Sequence, residues 1–365
     1  MALFLGLDSS TQSLSALVID TDARRVVLDQ SIVYGTALPE YKSPHGFLEH
    51  ADPAVKHGDP RLWVEALDRL FEKVRASGFD LGAVAGISGA GQQHGSVYLK
   101  TPLAKTTWST KSSLSAQIAP LLSRATAPIW MDSSTAADCL AIAEAVGGDP
   151  EVTRITGSAM TPRFTGPQIR KFFRDDPRAY EATQEIHLVS SFIAGVLTGS
   201  SAPIDYGDGA GMNLLELSSL GWSEALLAAT APGLAEKLRA PVASSTRVGS
   251  IAPYFVERYG FRAGTPVIAF TGDNPSSLVG MGAALPGTAV ASLGTSDTMF
   301  AAMRAPKTDP NGFGYVFGNP AGGFMCLICF SNGSLAREAV AERMKLDWPS
   351  FERAILEDTK PGNGG

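Results

Sequence analysis

An α/β architecture of two related domains is what this sequence predicts, and three observations predict it. The first is size: 365 residues with 44% hydrophobic content exceed what one core usually organises. The second is alternation, in which strand-like runs are separated by stretches whose apolar residues line one helical face. The third is an internal repeat. FLGLDSSTQSLSALVID near the N-terminus and TAVASLGTSDTMFAAM near residue 300 share one plan of strand, glycine, hydroxyl-rich turn and strand.

The opening segment reads as a hairpin, with an apolar run from Leu3 to Leu7, the turn DSSTQS and a second run from Leu14 to Asp20. Asp59 followed by Pro60 supplies an N-cap and a first-turn proline for a helix. Trp63, Leu67, Leu70, Phe71 and Val74 share its buried face, and it ends near Gly78. AVAGISGAG is then a small-residue strand that delivers Gln92, Gln93, His94 and Gly95 at its end, where backbone and ligand can approach closely. Pro128 to Trp130 suggests a short strand. Asp132 and Ser133 start the helix that follows, which stops at Gly147 and Gly148. Further helices are expected over Pro167 to Phe173 and Leu188 to Leu197, before a Gly-rich loop, IDYGDGAGMN, that suits either a functional turn or a plain one. After Tyr259 the segment GFRAGTP breaks the pattern, and the strand PVIAF leads directly into TGDNPSS. The expected division lies there, with one domain over 1–263 and a second over 264–365.

Charge and cysteine content exclude several classes. A formal net charge of -6 and the lack of a Lys/Arg run remove the electrostatic footprint needed to hold a nucleic-acid backbone. The N-terminus has no basic region before its apolar residues and reaches Asp8 too soon for a signal core or a membrane span, so a cytoplasmic protein is expected. Cys139, Cys326 and Cys329 are too few for a disulfide framework, and buried structural thiols are the expectation for them. His45, His50 and His57 fit no zinc spacing and are expected to be exposed.

The candidate chemistry sits in the turns. Hydroxyls and backbone N–H groups flanked by glycine can wrap phosphate oxygens, and two such turns could clamp a triphosphate; each could equally be an ordinary hairpin. Asp8 in the first turn adds the carboxylate that magnesium takes when it arrives with phosphates. No GxxxxGK[ST] sequence and no protein-kinase loop set is present. Asp273 follows an apolar strand and opens a helix, which is a cleft position for a general base and equally a position for an N-cap. His94 could close its turn and Arg163 could serve a surface ion pair.

GLDSSTQS, GAGQQHG, RFTGPQI, IDYGDGAGMNLL, AFTGDNPSSL, SLGTSDT and CFSNGSLAREA occur in the order in which they mark the FGGY carbohydrate kinases, and the chain resembles that family, within it the eukaryotic-type xylulokinase branch. The resemblance implies two ribonuclease-H-like domains of the actin and hexokinase kind, with D-xylulose and ATP in the cleft between them and Mg2+ beside the phosphates. By the same resemblance Asp273 is the base, and His94, Arg163, Asn274 and Gln93 hold sugar hydroxyls. Asp132 is implied as a further sugar contact, although WMDSST lacks the arginine that many family members carry after this aspartate. Asp8, Thr11, Gln12 and Ser13 correspond to the first phosphate turn, with Asp8 near the metal, and Gly294, Thr295 and Ser296 to the second. Trp348 corresponds to a nucleotide-pocket position. Family members continue beyond PGNGG into further strands and helices, so an incomplete second domain with part of an ATP site is expected. The resemblance leaves open a kinase for another ketose or polyol, such as ribulose or glycerol, and a sugar-binding protein without turnover.

Overall fold

The computed structural model describes residues 2–293, 297–309, 311–330, 333–360 and 362. Strands β1 (Leu3–Ser9), β2 (Ser13–Asp20) and β3 (Arg25–Val33) form an antiparallel meander. Alternation of side chains places Leu3, Leu5 and Leu7 of β1 in the core and leaves Phe4, Gly6 and Asp8 on the opposite face. Helix α1 (Pro60–Ala76) covers the core side, as its periodicity predicts; the Asp59 carboxylate accepts from the Arg61 N–H, and Trp63, Leu67, Leu70, Phe71 and Val74 are fully buried.

Strand β4 (Val84–Gly91) runs parallel to β1, which brings the ends of both strands to one edge. Helix α2 (Ala136–Val146) starts later than expected, because Asp132 is engaged in the turn before it. Helix α3 (Thr165–Asp175) precedes α4 (Val189–Thr198), every residue of which is buried up to Leu197. A side chain on Gly91 would lie 2.6 Å from the Ser190 backbone nitrogen, so glycine there lets the end of β4 abut the start of α4. The Gly-rich segment read as a loop contains a short helix, α5 (Tyr206–Gly209), continued by a 3-10 turn through Met212. It is buried because Gly and Ala let it pack on neighbouring backbone.

Strand β5 (Arg247–Ser250) and β6 (Pro266–Ile268) extend the sheet to the order β5-β6-β4-β1-β2-β3, and β7 (Thr271–Gly272) pairs with the last residues of β4. The division expected at 263/264 therefore falls inside the first sheet. Gly260 and Gly264 have positive φ and turn the chain sharply between a helix and β6, so GFRAGTP is an internal connection. Helix α6 (Asp273–Gly280) follows β7 directly.

A second sheet then forms from β8 (Ala289–Leu293), β9 (Asp297–Met303), β10 (Gly314–Gly318) and β11 (Phe324–Phe330), in the antiparallel order β8-β9-β11-β10. The repeat seen in the sequence is thus a repeat of structure, since β8–β9 is a hairpin like β1–β2. Phe300, Phe317, Met325 and Leu327 pack with Phe164, Ala210 and Leu278, which joins the second sheet to α3, α5 and α6. Helices α7 (Ser334–Arg343) and α8 (Trp348–Arg353) follow, and a π-helical turn over Ala354–Asp358 continues α8. Among the described residues no helix is long and apolar enough to cross a membrane. Two main sheets thus organise the described residues, the first a mixed sheet covered by helices and the second a smaller antiparallel one.

Cys139 is buried, and burial pushes its thiol up to about 12. Cys326 and Cys329 depart from the buried expectation. They lie on β11 three residues apart and so on opposite faces, Cys326 half-buried and Cys329 exposed.

Candidate active site

The parallel strands β1, β4 and β7 deliver Asp8, the Gln92–His94 turn and Asp273 to one edge of the first sheet. The carboxyl ends of such strands open a crevice in which ligands bind. Two cavities occupy it. The smaller, about 230 Å³, is lined by Gln93, His94, Arg163, Asn274 and Asp273, with Tyr315 and Phe317 arriving from the second sheet. The larger, about 590 Å³, is lined by small residues such as Gly6, Gly89, Ala90 and Ser277, together with Asp8 and, again, Asp273.

Asp273 is the first residue of α6, and the N-cap position belongs to Gly272. The N-capping reading of this aspartate therefore fails. Its Oδ1 accepts from the Asn274 backbone N–H at 2.8 Å and the Asn274 amide at 3.1 Å. Burial pushes the carboxyl up to about 6; the Asp8 charge adds to the rise and the bonds from Asn274 oppose it. Asn274 also donates to Gln93 Oε1 at 2.8 Å, which ties the β4 turn to the start of α6. Gln93 is buried, and its Nε2 has no partner among the described residues.

His94 has φ 68°, an uncommon conformation for a non-glycine residue. Its ring stacks on Phe164 at 4.3 Å, and its Nδ1 lies 2.8 Å from the Gly211 carbonyl oxygen. A carbonyl only accepts, so Nδ1 carries the hydrogen and Nε2 keeps a lone pair. Burial, reinforced by the Arg163 charge, lowers the imidazole to about 3, so the ring is neutral at pH 7. A side chain on Gly211 would meet the ring at 2.8 Å, which is why the Gly-rich segment backs this histidine. Arg163 donates to the Tyr315 hydroxyl at 3.3 Å and has no carboxylate partner among the described residues. The ion-pair reading of this arginine therefore fails.

Asp8 is half-buried. Its Oδ2 accepts from the Ser10 hydroxyl, while Oδ1 is buried with no hydrogen-bond partner among the described residues, and burial raises its carboxyl. The rest of the predicted first turn lies apart from it. Thr11, Gln12 and Ser13 do not line the larger cavity; the Thr11 hydroxyl accepts from the Trp130 indole N–H at 2.8 Å. Gly294, Thr295 and Ser296 lie outside the described residues.

Two further predicted residues, like Thr11, Gln12 and Ser13, line neither cavity. Asp132 is fully buried and its carboxylate is already used: Oδ1 accepts from Ser134 and from the Gln168 amide, and Oδ2 from the Lys56 N–H. Those bonds hold its carboxyl below the usual range against the opposing effect of burial. His57 lies 3.5 Å from the same carboxylate; contrary to expectation it is half-buried, and burial together with Arg124 pushes its ring down to about 3. Trp348 opens α8, is 53% exposed and stacks edge-on with Phe351, because the local Asp347 cap and Pro349 set a separate helix there.

Two adjoining cavities at the ends of parallel strands, with the Asp273 carboxylate common to both, define an α/β cleft protein. Residues 3–280 match the family model for the FGGY family of carbohydrate kinases, N-terminal domain, whose match ends where α6 ends. Xylulose kinase of Rattus norvegicus is 45% identical over 99% of this chain and 67% of its own length. Xylulose kinase 2 of Arabidopsis thaliana is 41% identical over 100% of this chain and 66% of its own. Among solved structures, a "xyloylose kinase" from Brucella ovis superposes with a TM-score of 0.80 at 24% identity, covering 98% of this chain and 67% of that one. The chain belongs to the FGGY family of carbohydrate kinases. It spans about two thirds of the length of the relatives it matches.

Tyr315, Phe164, Phe317 and Gly211 line or brace the smaller cavity without having been singled out in the sequence. Gly211 lay within a recognisable motif, IDYGDGAGMN, and Phe164 within RFTG. Tyr315 and Phe317 carried only the two-residue alternation of a strand.

Proposed function

We propose that this protein transfers the γ-phosphoryl group of ATP to D-xylulose, giving D-xylulose 5-phosphate. The observation that carries the reading is that Asp273 lines both cavities, so one carboxylate faces both the sugar and the phosphate to be transferred. The relatives named xylulose kinase supply the sugar. Ionised at pH 7, Asp273 accepts the proton of the terminal sugar hydroxyl as that oxygen attacks phosphorus. His94 Nε2 accepts a hydrogen bond from one sugar hydroxyl, Arg163 and the Gln93 amide donate to others, and Asn274, whose two amide hydrogens serve Gln93 and Asp273, offers its Oδ1 as an acceptor. Fixing these groups before the reaction turns encounter into positioning.

Asp8 Oδ1, which has no hydrogen-bond partner among the described residues, fits a hard divalent cation, which takes one or two carboxylate oxygens and completes its shell with water and phosphate. Asp8 would hold Mg2+, which when bound offsets phosphate charge. The lining of the larger cavity by glycine, alanine and serine leaves backbone N–H groups and hydroxyls to face a triphosphate. Asp132 ties the Lys56 segment to Gln168 of α3, a structural task that leaves its carboxylate no share in binding the sugar. We place the reaction in the cytoplasm, since three unpaired cysteines suit a reducing compartment.

Coupled ADP release across a panel of D-xylulose, D-ribulose and glycerol tests the reading. D-xylulose is expected to give the highest kcat/KM. Another best substrate would transfer the activity to that sugar or polyol, and sugar binding without ADP release would make the chain a binding protein.

A further inference from the structure

The second sheet reaches into the sugar cavity at a residue with no role assigned above. Tyr315 and Phe317 lie two apart on β10, so both face the same way, and both line the smaller cavity. Tyr315 meets Arg163 in two ways. Its hydroxyl oxygen accepts from Arg163 Nη2 at 3.3 Å, and its ring lies beneath the guanidinium, with 5.5 Å from the central carbon to the ring centroid. The ring is itself set by Phe164, 5.5 Å away, and Phe164 in turn carries the stacked His94. One aromatic row therefore runs from the histidine of the first sheet to the tyrosine of the second. Arg163 is half-buried without a carboxylate partner among the described residues, and a long side chain in that condition samples several rotamers unless something holds it.

We propose that Tyr315 is a positioning residue that acts through Arg163, so that the second sheet sets the affinity of the sugar site. This rests on the assignment of the smaller cavity to the sugar. The hydroxyl and the ring fix the guanidinium before the sugar arrives, and binding is spared the cost of ordering it. The effect is on sugar binding and not on phosphoryl transfer, because Tyr315 touches Arg163 and not Asp273.

The test is calorimetric binding of D-xylulose, D-ribulose and glycerol to the full chain, with steady-state kinetics on the sugar that binds. Tyr315→Phe keeps the ring and removes the hydroxyl, and it should weaken sugar binding by about fivefold, with kcat and the KM for ATP within twofold of wild type. Tyr315→Leu removes the ring as well and should weaken binding by about twentyfold. In an Arg163→Ala background, Tyr315→Phe should change binding by less than twofold, since the group through which it acts is gone. Tyr315→Phe indistinguishable from wild type would overturn the inference and leave the xylulose reading standing, as would an undiminished effect in the Arg163→Ala background. A wild-type preference for D-ribulose or glycerol would overturn the xylulose reading, and the same variants then decide the role of Tyr315 on that ligand. Wild-type protein that binds none of the three would end both.

Discussion

The two cavities that meet at Asp273 are built by different means. In the smaller, three polar side chains have partners that fix their direction: Gly211 for His94, Tyr315 for Arg163 and Asn274 for Gln93. In the larger, the walls are mostly glycine, alanine and serine, and one Asp8 carboxylate oxygen has no partner among the described residues. Directed side chains discriminate one pattern of hydroxyls from another, because a missing hydroxyl leaves a desolvated partner unpaired. Small walls accommodate a bulky polyanion through backbone donors without discriminating finely. Selectivity should therefore reside in the first cavity and charge handling in the second.

The most damaging way to probe that division is at the group common to both. Asp273→Ala should lower kcat about 10³-fold while sugar binding stays measurable by calorimetry; a kcat within tenfold of wild type would remove the carboxylate from proton transfer. With Asp273 as the base, kcat/KM should also fall as pH drops through about 6. Asp8→Asn acts chiefly on the larger cavity, while removing the charge that helps raise Asp273, and a loss of about 10²-fold in kcat/KM for ATP is expected, with the sugar KM unchanged. A raised sugar KM in that variant would show the cavities to be less separate than their walls suggest. His94→Phe keeps the stack on Phe164 but loses the Nε2 acceptor, so the sugar KM should rise about tenfold with the KM for ATP unaffected.

Two smaller effects concern stability. Asp132→Asn replaces a buried acceptor by an amide that cannot satisfy the same donors, and Tm should fall by a few degrees while the sugar KM stays within about twofold. A larger KM change would return Asp132 to the sugar site. For Asp273 the sign is opposite. Its carboxyl titrates higher in the folded protein than its ordinary value of 3.8, so ionisation weakens the fold as pH rises through about 6. Asp273→Asn should gain a few degrees of Tm near pH 7.5, and the gain should vanish as pH is lowered towards 3.8.

Much of this was legible in the sequence. Leu3, Leu5 and Leu7 alternate, the Asp59–Pro60 start and the spacing from Trp63 to Val74 define α1, and the two glycine-led hairpins repeat each other. These are local regularities set by backbone geometry, and they survive in any tertiary setting compatible with burial of the apolar face. Gln93, His94, Asn274 and Asp273 were legible too, since each follows the end of a strand in the first sheet.

The tertiary structure alone decided which candidates face a cavity. Asp132 and Asp273 look alike in sequence, each an aspartate between strand and helix, yet Gln168 and the Lys56 backbone take up the first while burial beside Asp8 raises the second. The tautomer of His94 depends on a carbonyl 117 residues away, and the setting of Arg163 on a hydroxyl 152 residues away. Membership of β6 and β7 in the first sheet depends on their pairing with β4. Such contacts follow from strand order and from the close approach of packed elements, and a pattern confined to neighbours in the chain carries no information about either.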